Sequence, residues 1–148
     1  AYPKPALSTA FAQNKLPAQL RNSVASEQAV ALNLQLQAHT RAVSLNLAQQ
    51  TLHTDHGDFA YSRLVLAHGA DPIRIPLQGD AANTVMSVNQ LPDYQLLRDK
   101  LQPGARVLIM GAGLIGCEFA NDLGRAGFHV QVADPASRAL SALLPAKG

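Results

Sequence analysis

The chain has 148 residues, of which 47% are hydrophobic and 15% charged, and its formal net charge is +2. This composition is ordinary for a globular α/β protein, and the charge is too small to indicate a nucleic-acid-binding surface. No apolar run reaches the roughly 20 residues that cross a bilayer, and nothing resembles a secretory signal. With Cys117 as its one cysteine, the sequence therefore predicts a cytoplasmic location and partners that are neither nucleic acid nor membrane.

The first half of the chain is predicted to hold a short helix, a small antiparallel β meander and one buried strand. Ser26 is a candidate N-cap for a helix over residues 27–32, with Asn33 as its stop. Residues 55–58 have the composition of a tight hairpin turn. Apolar patterns predict strands at residues 34–38, 43–47, 51–53, 59–61 and 64–67.

A change of composition marks the predicted connection between two domains. Residues 71–92 are rich in Pro, Gly, Asn and Gln, with a short strand expected at 85–87. Pro92 then begins a helix whose apolar face carries Tyr94, Leu97 and Leu101. The predicted domains are residues 1–82 and 83–148.

A glycine turn between an apolar strand and a helix is the most specific motif. The strand, residues 107–110, leads into Gly111-X-Gly113-X-X-Gly116, and a helix follows to about Ala126. In dinucleotide-binding folds the first glycine permits the turn, the second lets the backbone approach a pyrophosphate, and the third brings the helix close to the strand. A chance glycine cluster is the alternative, but the ordered context favours dinucleotide binding.

Asp134 completes this motif. It follows a second apolar strand, residues 129–133, and lies 18 residues after Gly116, where a carboxylate can accept hydrogen bonds from an adenosine ribose. Arg138 could contact a 2′-phosphate, but Asp134 would repel one. The sequence therefore predicts NADH rather than NADPH.

Three ordered motifs resemble the FAD-dependent pyridine-nucleotide oxidoreductases, most closely the NADH–rubredoxin reductases. They are Tyr2-X-Lys4-Pro5-X-Leu7-Ser8, then Tyr61-X-X-Leu64-Val65-Leu66-Ala67-His68-Gly69-Ala70-X-Pro72, then the glycine turn with Glu118. The resemblance spans the chain and implies an α/β fragment of a two-domain, doubly wound FAD/NAD(P)-binding fold with an antiparallel β meander. Residues 1–82 would be part of the FAD-binding domain and residues 83–148 part of the NAD(P)H-binding domain.

The same resemblance assigns catalytic roles to two residues. Lys4 would lie beside the flavin ring, with Pro5 packed close, and Glu118 would pair with Lys4 at the border of nicotinamide and flavin. The alternatives are a solvated surface lysine and a glutamate stabilised by the helix dipole. Because Glu118 lies beyond the first helical turn, the dipole explanation is weak.

Further cofactor contacts follow from the matched motifs. In addition to those named above, the residues expected to bind FAD or NADH are Ala42, Ala67, Gly69, Gly111, Gly113, Leu114, Ile115, Gly116 and Asp134. His68 stands where the family usually has threonine, which removes a hydroxyl from the turn that runs near FAD.

The cysteine pattern bears on the identity of the electron acceptor. Disulfide reductases of this superfamily carry Cys-X-X-X-X-Cys near the segment that residues 2–8 occupy here, and this chain has no such pair. The resemblance therefore implies electron transfer from NADH through FAD to rubredoxin or a similar small iron protein. The alternatives are a related ferredoxin, nitrite or nitric-oxide reductase flavoprotein, and a non-redox NAD-binding module.

One cluster of potential metal ligands is interpreted as structural. His53, Asp55, His56 and Asp58 surround a hairpin turn, where polar residues are expected, and no further ligand group lies near them in sequence. No metal is predicted.

Overall fold

A computed structural model of the chain describes residues 2–145. None of the helices in that range is long and apolar enough to span a membrane. The elements in chain order are α1 (Ala6–Ala12), α2 (Ala25–Ala31), β1 (Ala42–Asn46), β2 (Thr51–Thr54), β3 (Gly57–Ala60), α3 (Leu91–Lys100), β4 (Arg106–Met110), α4 (Leu114–Arg125) and β5 (His129–Ala133).

The chain divides into two compact units. Val24–Asp71 forms one unit, and the described parts of residues 1–23 and 72–148 form the other. The first 23 residues group with the C-terminal half because α1 packs against α4. The predicted domains, residues 1–82 and residues 83–148, are defined by the cofactor that each would bind, FAD and NAD(P)H. This assignment stays a prediction.

The unit Val24–Asp71 contains the predicted meander. Strands β1, β2 and β3 form an antiparallel sheet in that order, and Leu52 of β2 lies opposite Leu45 and Phe59. The β2–β3 turn falls at Asp55 and His56, as the polar sequence predicts. A hydrogen bond from Arg41 N–H (2.8 Å), followed by the contact with His56, holds the pKa of Asp55 below its ordinary value.

Some element predictions are wrong. Residues 34–38, 64–67 and 85–87 are not strands, and the side chain of Val65 is 84% exposed. A strand is stabilised by ladder partners, and none of the described strands pairs with these apolar runs. Helix α2 begins before Ser26, with Val24 at the N-cap position, while Asn33 follows its end with a φ of 51°.

The other unit has a small aromatic core. Tyr94 of α3 is completely buried, and its ring lies edge-on to Phe11 of α1 with centroids 4.7 Å apart. The Tyr94 hydroxyl donates to the Lys15 carbonyl at 2.7 Å, so its polar end is satisfied. Leu97 and Leu101 pack against the same core, which confirms the predicted apolar face of α3.

Strands β4 and β5 are parallel, with Arg106 opposite His129 and Met110 opposite Ala133. Helix α4 connects them, so the order is strand, glycine turn, helix, strand. Within this βαβ unit the predicted elements are confirmed to within one residue. Because helix α4 begins where β4 ends, its N-terminus lies at the carboxyl edge of the sheet, where ligands bind in open α/β folds.

Candidate dinucleotide-binding site

The three glycines of the turn have different surroundings. Gly111 has a φ of 106°, a conformation that a side chain rarely permits, and its N–H donates to Ala133 O at 2.8 Å. A Cβ at Gly116 would overlap the Gly111 carbonyl oxygen, so glycine is required for this close approach. A Cβ at Gly113 would meet nothing within 4 Å. The open side at Gly113 leaves the backbone accessible to a ligand.

The N-terminus of α4 supplies unpaired donors. The first helical bond runs from Cys117 N–H to Gly113 O at 2.9 Å, so the N–H groups of Leu114, Ile115 and Gly116 precede the hydrogen-bond ladder. Leu114 and Ile115 are exposed, and the first turn contains no acidic residue. These donors and the helix dipole suit a diphosphate.

Asp134 is fixed by two backbone donors. Its Oδ2 accepts from Ala112 N–H at 2.6 Å and its Oδ1 from Ala136 N–H at 2.7 Å. These bonds, the Ala112 bond first, hold the pKa of Asp134 below its ordinary value. The carboxylate is therefore ionised at neutral pH and lies directly at the glycine turn. The bond to Ala112 is a feature that sequence patterns do not reveal.

The Arg138 side chain donates hydrogen bonds to backbone carbonyl oxygens. Its Nη2 donates to Leu144 O at 2.6 Å and to Ser141 O at 3.3 Å. The guanidinium thus organises the loop after β5, which leaves fewer of its donors for a ligand.

The predicted flavin-side residues of the N-terminal segment lie around the start of α1. Pro5 is the N-cap of α1, and Lys4 is exposed, with its Nζ donating to Asn89 Oδ1 at 2.8 Å. Glu118 lies half-buried in α4. Among residues 2–145 the ion pairs are His–Asp pairs, so the predicted Lys4–Glu118 ion pair is not formed here. Lys4 thus donates to a neutral amide where the resemblance implies a carboxylate, and the roles of Lys4 and Glu118 toward the flavin stay predictions.

The remaining predicted cofactor contacts belong to the unit Val24–Asp71. Ala42 begins β1, next to a bulge between Ala42 and Ser44. Ala67 and Gly69 are exposed, and Gly69 has a φ of 78°. Their roles toward FAD stay predictions.

The polar residues of the hairpin pair with one another. His53 Nδ1 lies 2.8 Å from Asp58 Oδ1, and His56 Nδ1 lies 2.8 Å from Asp55 Oδ1. In the part of the chain that the structure describes, no group of three or more potential ligands is placed to hold a metal.

Comparison with known proteins defines the family. The model of the pyridine nucleotide-disulphide oxidoreductases matches residues 1–147, and the chain belongs to this family. A rubredoxin-NAD(+) reductase of Acinetobacter baylyi is 41% identical over 98% of the chain, and a nitric oxide reductase FlRd-NAD(+) reductase of Vibrio vulnificus is 38% identical over 97%. The chain spans 38% of the length of each of these relatives.

Solved structures give the same result for the fold. The reductase of a covalent putidaredoxin reductase–putidaredoxin complex superposes with a TM-score of 0.78 at 28% identity, covering 97% of this chain and 36% of that one. A ferredoxin reductase of Rhodopseudomonas palustris has a TM-score of 0.78 at 26% identity, with 99% and 36% covered. The predicted family and the α/β fold, part of a larger FAD/NAD-binding reductase fold with an antiparallel meander, are confirmed.

Proposed function

We propose that this chain is part of an FAD-containing NADH oxidoreductase that passes electrons to rubredoxin or a similar small iron protein. The observation that carries the proposal is the glycine turn between β4 and α4, with an ionised Asp134 fixed beside it. The relatives named rubredoxin-NAD(+) reductase support the choice of reaction, because they match nearly the whole chain.

The residues at the turn would hold the dinucleotide. The N–H groups of Leu114, Ile115 and Gly116 would donate to its diphosphate, and Gly113 leaves room for the approach. Bound FAD would supply the redox chemistry, accepting hydride from NADH and releasing single electrons. We propose that Lys4 lies beside the flavin and that Glu118 lies at the border of nicotinamide and flavin, each acting without a direct ion pair between them.

NADH is the proposed electron donor. Asp134 is ionised at the place where a ribose 2′-hydroxyl would donate, and its negative charge opposes a 2′-phosphate. Arg138, the basic residue nearest in sequence after β5, donates to carbonyl oxygens instead.

We propose a single-electron acceptor rather than a disulfide relay at residues 2–8, because these 148 residues contain one cysteine. Cys117 lies on α4, where its Sγ is 3.5 Å from Ala112 O, and an internal disulfide would need a second thiol. The relatives named FlRd-NAD(+) reductase favour, as a second candidate, a rubredoxin-like centre within a nitric oxide reductase. The cytoplasmic location and the absence of nucleic-acid and membrane partners stay predictions.

The intact protein that contains this chain tests the proposal. The purified protein should retain one FAD, which NADH should reduce rapidly. Anaerobic NADH oxidation should then be measured with rubredoxin, with a flavorubredoxin and with a [2Fe–2S] ferredoxin as acceptors. We expect the highest kcat/KM with rubredoxin. A protein without flavin that binds NADH would instead be a non-redox module, and a clear preference for either other acceptor would replace rubredoxin.

A further inference from the structure

We infer that Asn89 is a positioning residue that holds the Lys4 ammonium while leaving its positive charge uncompensated. This inference rests on the proposed function, in which Lys4 lies beside the flavin. Asn89 lies 85 positions from Lys4 and is outside the motifs that carry the family resemblance.

The contact between the two residues belongs to a local set of hydrogen bonds. Lys4 Nζ donates to Asn89 Oδ1 at 2.8 Å. Asn89 N–H donates to Asp93 Oδ2 at 3.0 Å, which fixes the Asn89 backbone at the start of α3. Two residues before Lys4, the Tyr2 hydroxyl accepts from Leu91 N–H at 3.1 Å. Two separate hydrogen bonds therefore fasten the Lys4 segment to the N-terminus of α3.

The chemical nature of the acceptor matters because an amide oxygen is neutral. It orients the ammonium as a carboxylate would, but it does not offset the charge. Within residues 2–145 no carboxylate lies within 4 Å of Lys4 Nζ. The Asn89 amide oxygen accepts from one of the three N–H groups of the Lys4 ammonium. The other donors and the full charge fit an electron-rich ring edge, so they would stabilise the reduced flavin more than the oxidised one.

The substitution Asn89→Asp tests this idea because it keeps the shape and the acceptor but adds a negative charge. In the intact holoenzyme we expect it to lower the flavin midpoint potential and to slow flavin reduction by NADH at least about tenfold. NADH affinity should change little. Asn89→Ala should also slow reduction, since the ammonium loses its anchor. The matched control is Asn83→Asp, an exposed asparagine in the turn before α3.

A second readout does not depend on catalysis. In the flavin-free full-length protein labelled with [ε-13C]lysine, Asn89→Asp should shift the Lys4 Cε resonance, since a carboxylate replaces the neutral amide beside the ammonium. Asn83→Asp should leave that resonance unchanged. The resonance is assigned through its loss in Lys4→Met.

The outcomes separate this inference from the proposed function. If Lys4→Met slows flavin reduction but Asn89→Asp shifts neither the flavin potential nor the Lys4 Cε resonance, the role of Asn89 is refuted and that of Lys4 stands. If Lys4→Met has no effect on reduction, the proposed role of Lys4 is wrong. Support for Asn89 requires that Asn89→Asp adds nothing in the Lys4→Met background, because its effect acts through the ammonium.

Discussion

Asp134 illustrates how one side chain serves both structure and recognition. Its two oxygens accept from Ala112 N–H in the glycine turn and from Ala136 N–H in the following loop. Each carboxylate oxygen can accept more than one hydrogen bond, so a ribose hydroxyl can be added without breaking these contacts. The residue that would select the cofactor therefore also fixes the turn that would bind it.

Substitutions of Asp134 should separate these two roles in the intact protein. Asp134→Asn keeps an acceptor for the turn but removes the charge, so the preference for NADH over NADPH should fall by roughly tenfold. Asp134→Ala should narrow the preference too, and it should also weaken NADH binding because the turn loses its support. The measurement is kcat/KM for both nucleotides. An unchanged ratio in both variants would show that Asp134 does not select the nucleotide.

The depressed pKa of Asp134 has a consequence for stability. A carboxyl whose pKa is lower in the folded state stabilises the fold above its ordinary value of 3.8, and this contribution disappears as the pH falls through the folded-state pKa. We expect the melting-temperature difference between the wild type and Asp134→Asn to shrink when the pH falls from about 5 to about 3. A pKa of Asp134 above 3.8, measured by carboxyl 13C NMR, would contradict this.

At the scale of elements, the turn between β4 and α4 allows a matched pair of glycine substitutions. Gly116→Ala places a Cβ against the Gly111 carbonyl oxygen, so the helix must shift, and we expect destabilisation of about 1–3 kcal/mol. Gly113→Ala meets open space at a φ of −74°, so the melting temperature should hardly change. The added methyl would instead obstruct the diphosphate.

Thermal melting and NADH titration of the intact protein measure both effects. We expect Gly116→Ala to lose stability and Gly113→Ala to lose NADH affinity at nearly normal stability. If Gly113→Ala bound NADH as tightly as the wild type, the diphosphate would not approach at this turn.

The helix α3 and the segment after α1 are joined by the Tyr94 hydroxyl. Tyr94→Phe keeps the edge-on contact with Phe11 but removes the bond to Lys15 O, and we expect a loss of about 1 kcal/mol. Tyr61→Phe is the comparison, because the buried Tyr61 hydroxyl has no hydrogen-bond partner among the described residues. That substitution should be neutral or stabilising. Chemical denaturation of the intact protein measures the free energy of unfolding of both variants. Equal losses in the two variants would contradict the stabilising role of the Tyr94 hydroxyl.

At the level of the whole chain, one glycine turn is present for two proposed dinucleotide cofactors. The 148 residues contain one Gly-X-Gly-X-X-Gly turn, whereas FAD and NADH each carry a diphosphate that needs its own backbone donors. The chain covers 38% of the length of its matched relatives.

We therefore expect the isolated 148-residue chain to retain little FAD. Without the amides of a second glycine turn, the FAD diphosphate loses most of its anion-binding donors. The flavin absorbance of the purified, dialysed chain measures this, with the intact protein as the control. One FAD per chain with a bound-flavin spectrum would contradict the expectation.

Elements whose stabilising contacts are local or strongly patterned could be predicted from the sequence. The β4–α4–β5 unit and the hairpin around Asp55 were predictable because glycine turns, polar turns and apolar periodicity all indicate the same structure. The runs at residues 34–38, 64–67 and 85–87 were not, because an apolar pattern becomes a strand only when another strand pairs with it.

Contacts between side chains that lie far apart in the sequence could not be predicted in this way. The tertiary structure joined Lys4 to Asn89 rather than to Glu118, and it fixed Asp134 on Ala112. Such contacts depend on how α1, α3 and α4 pack around the aromatic core. Periodicity and motif spacing carry information about neighbours along the chain, whereas the choice of hydrogen-bond partner is made by packing in three dimensions.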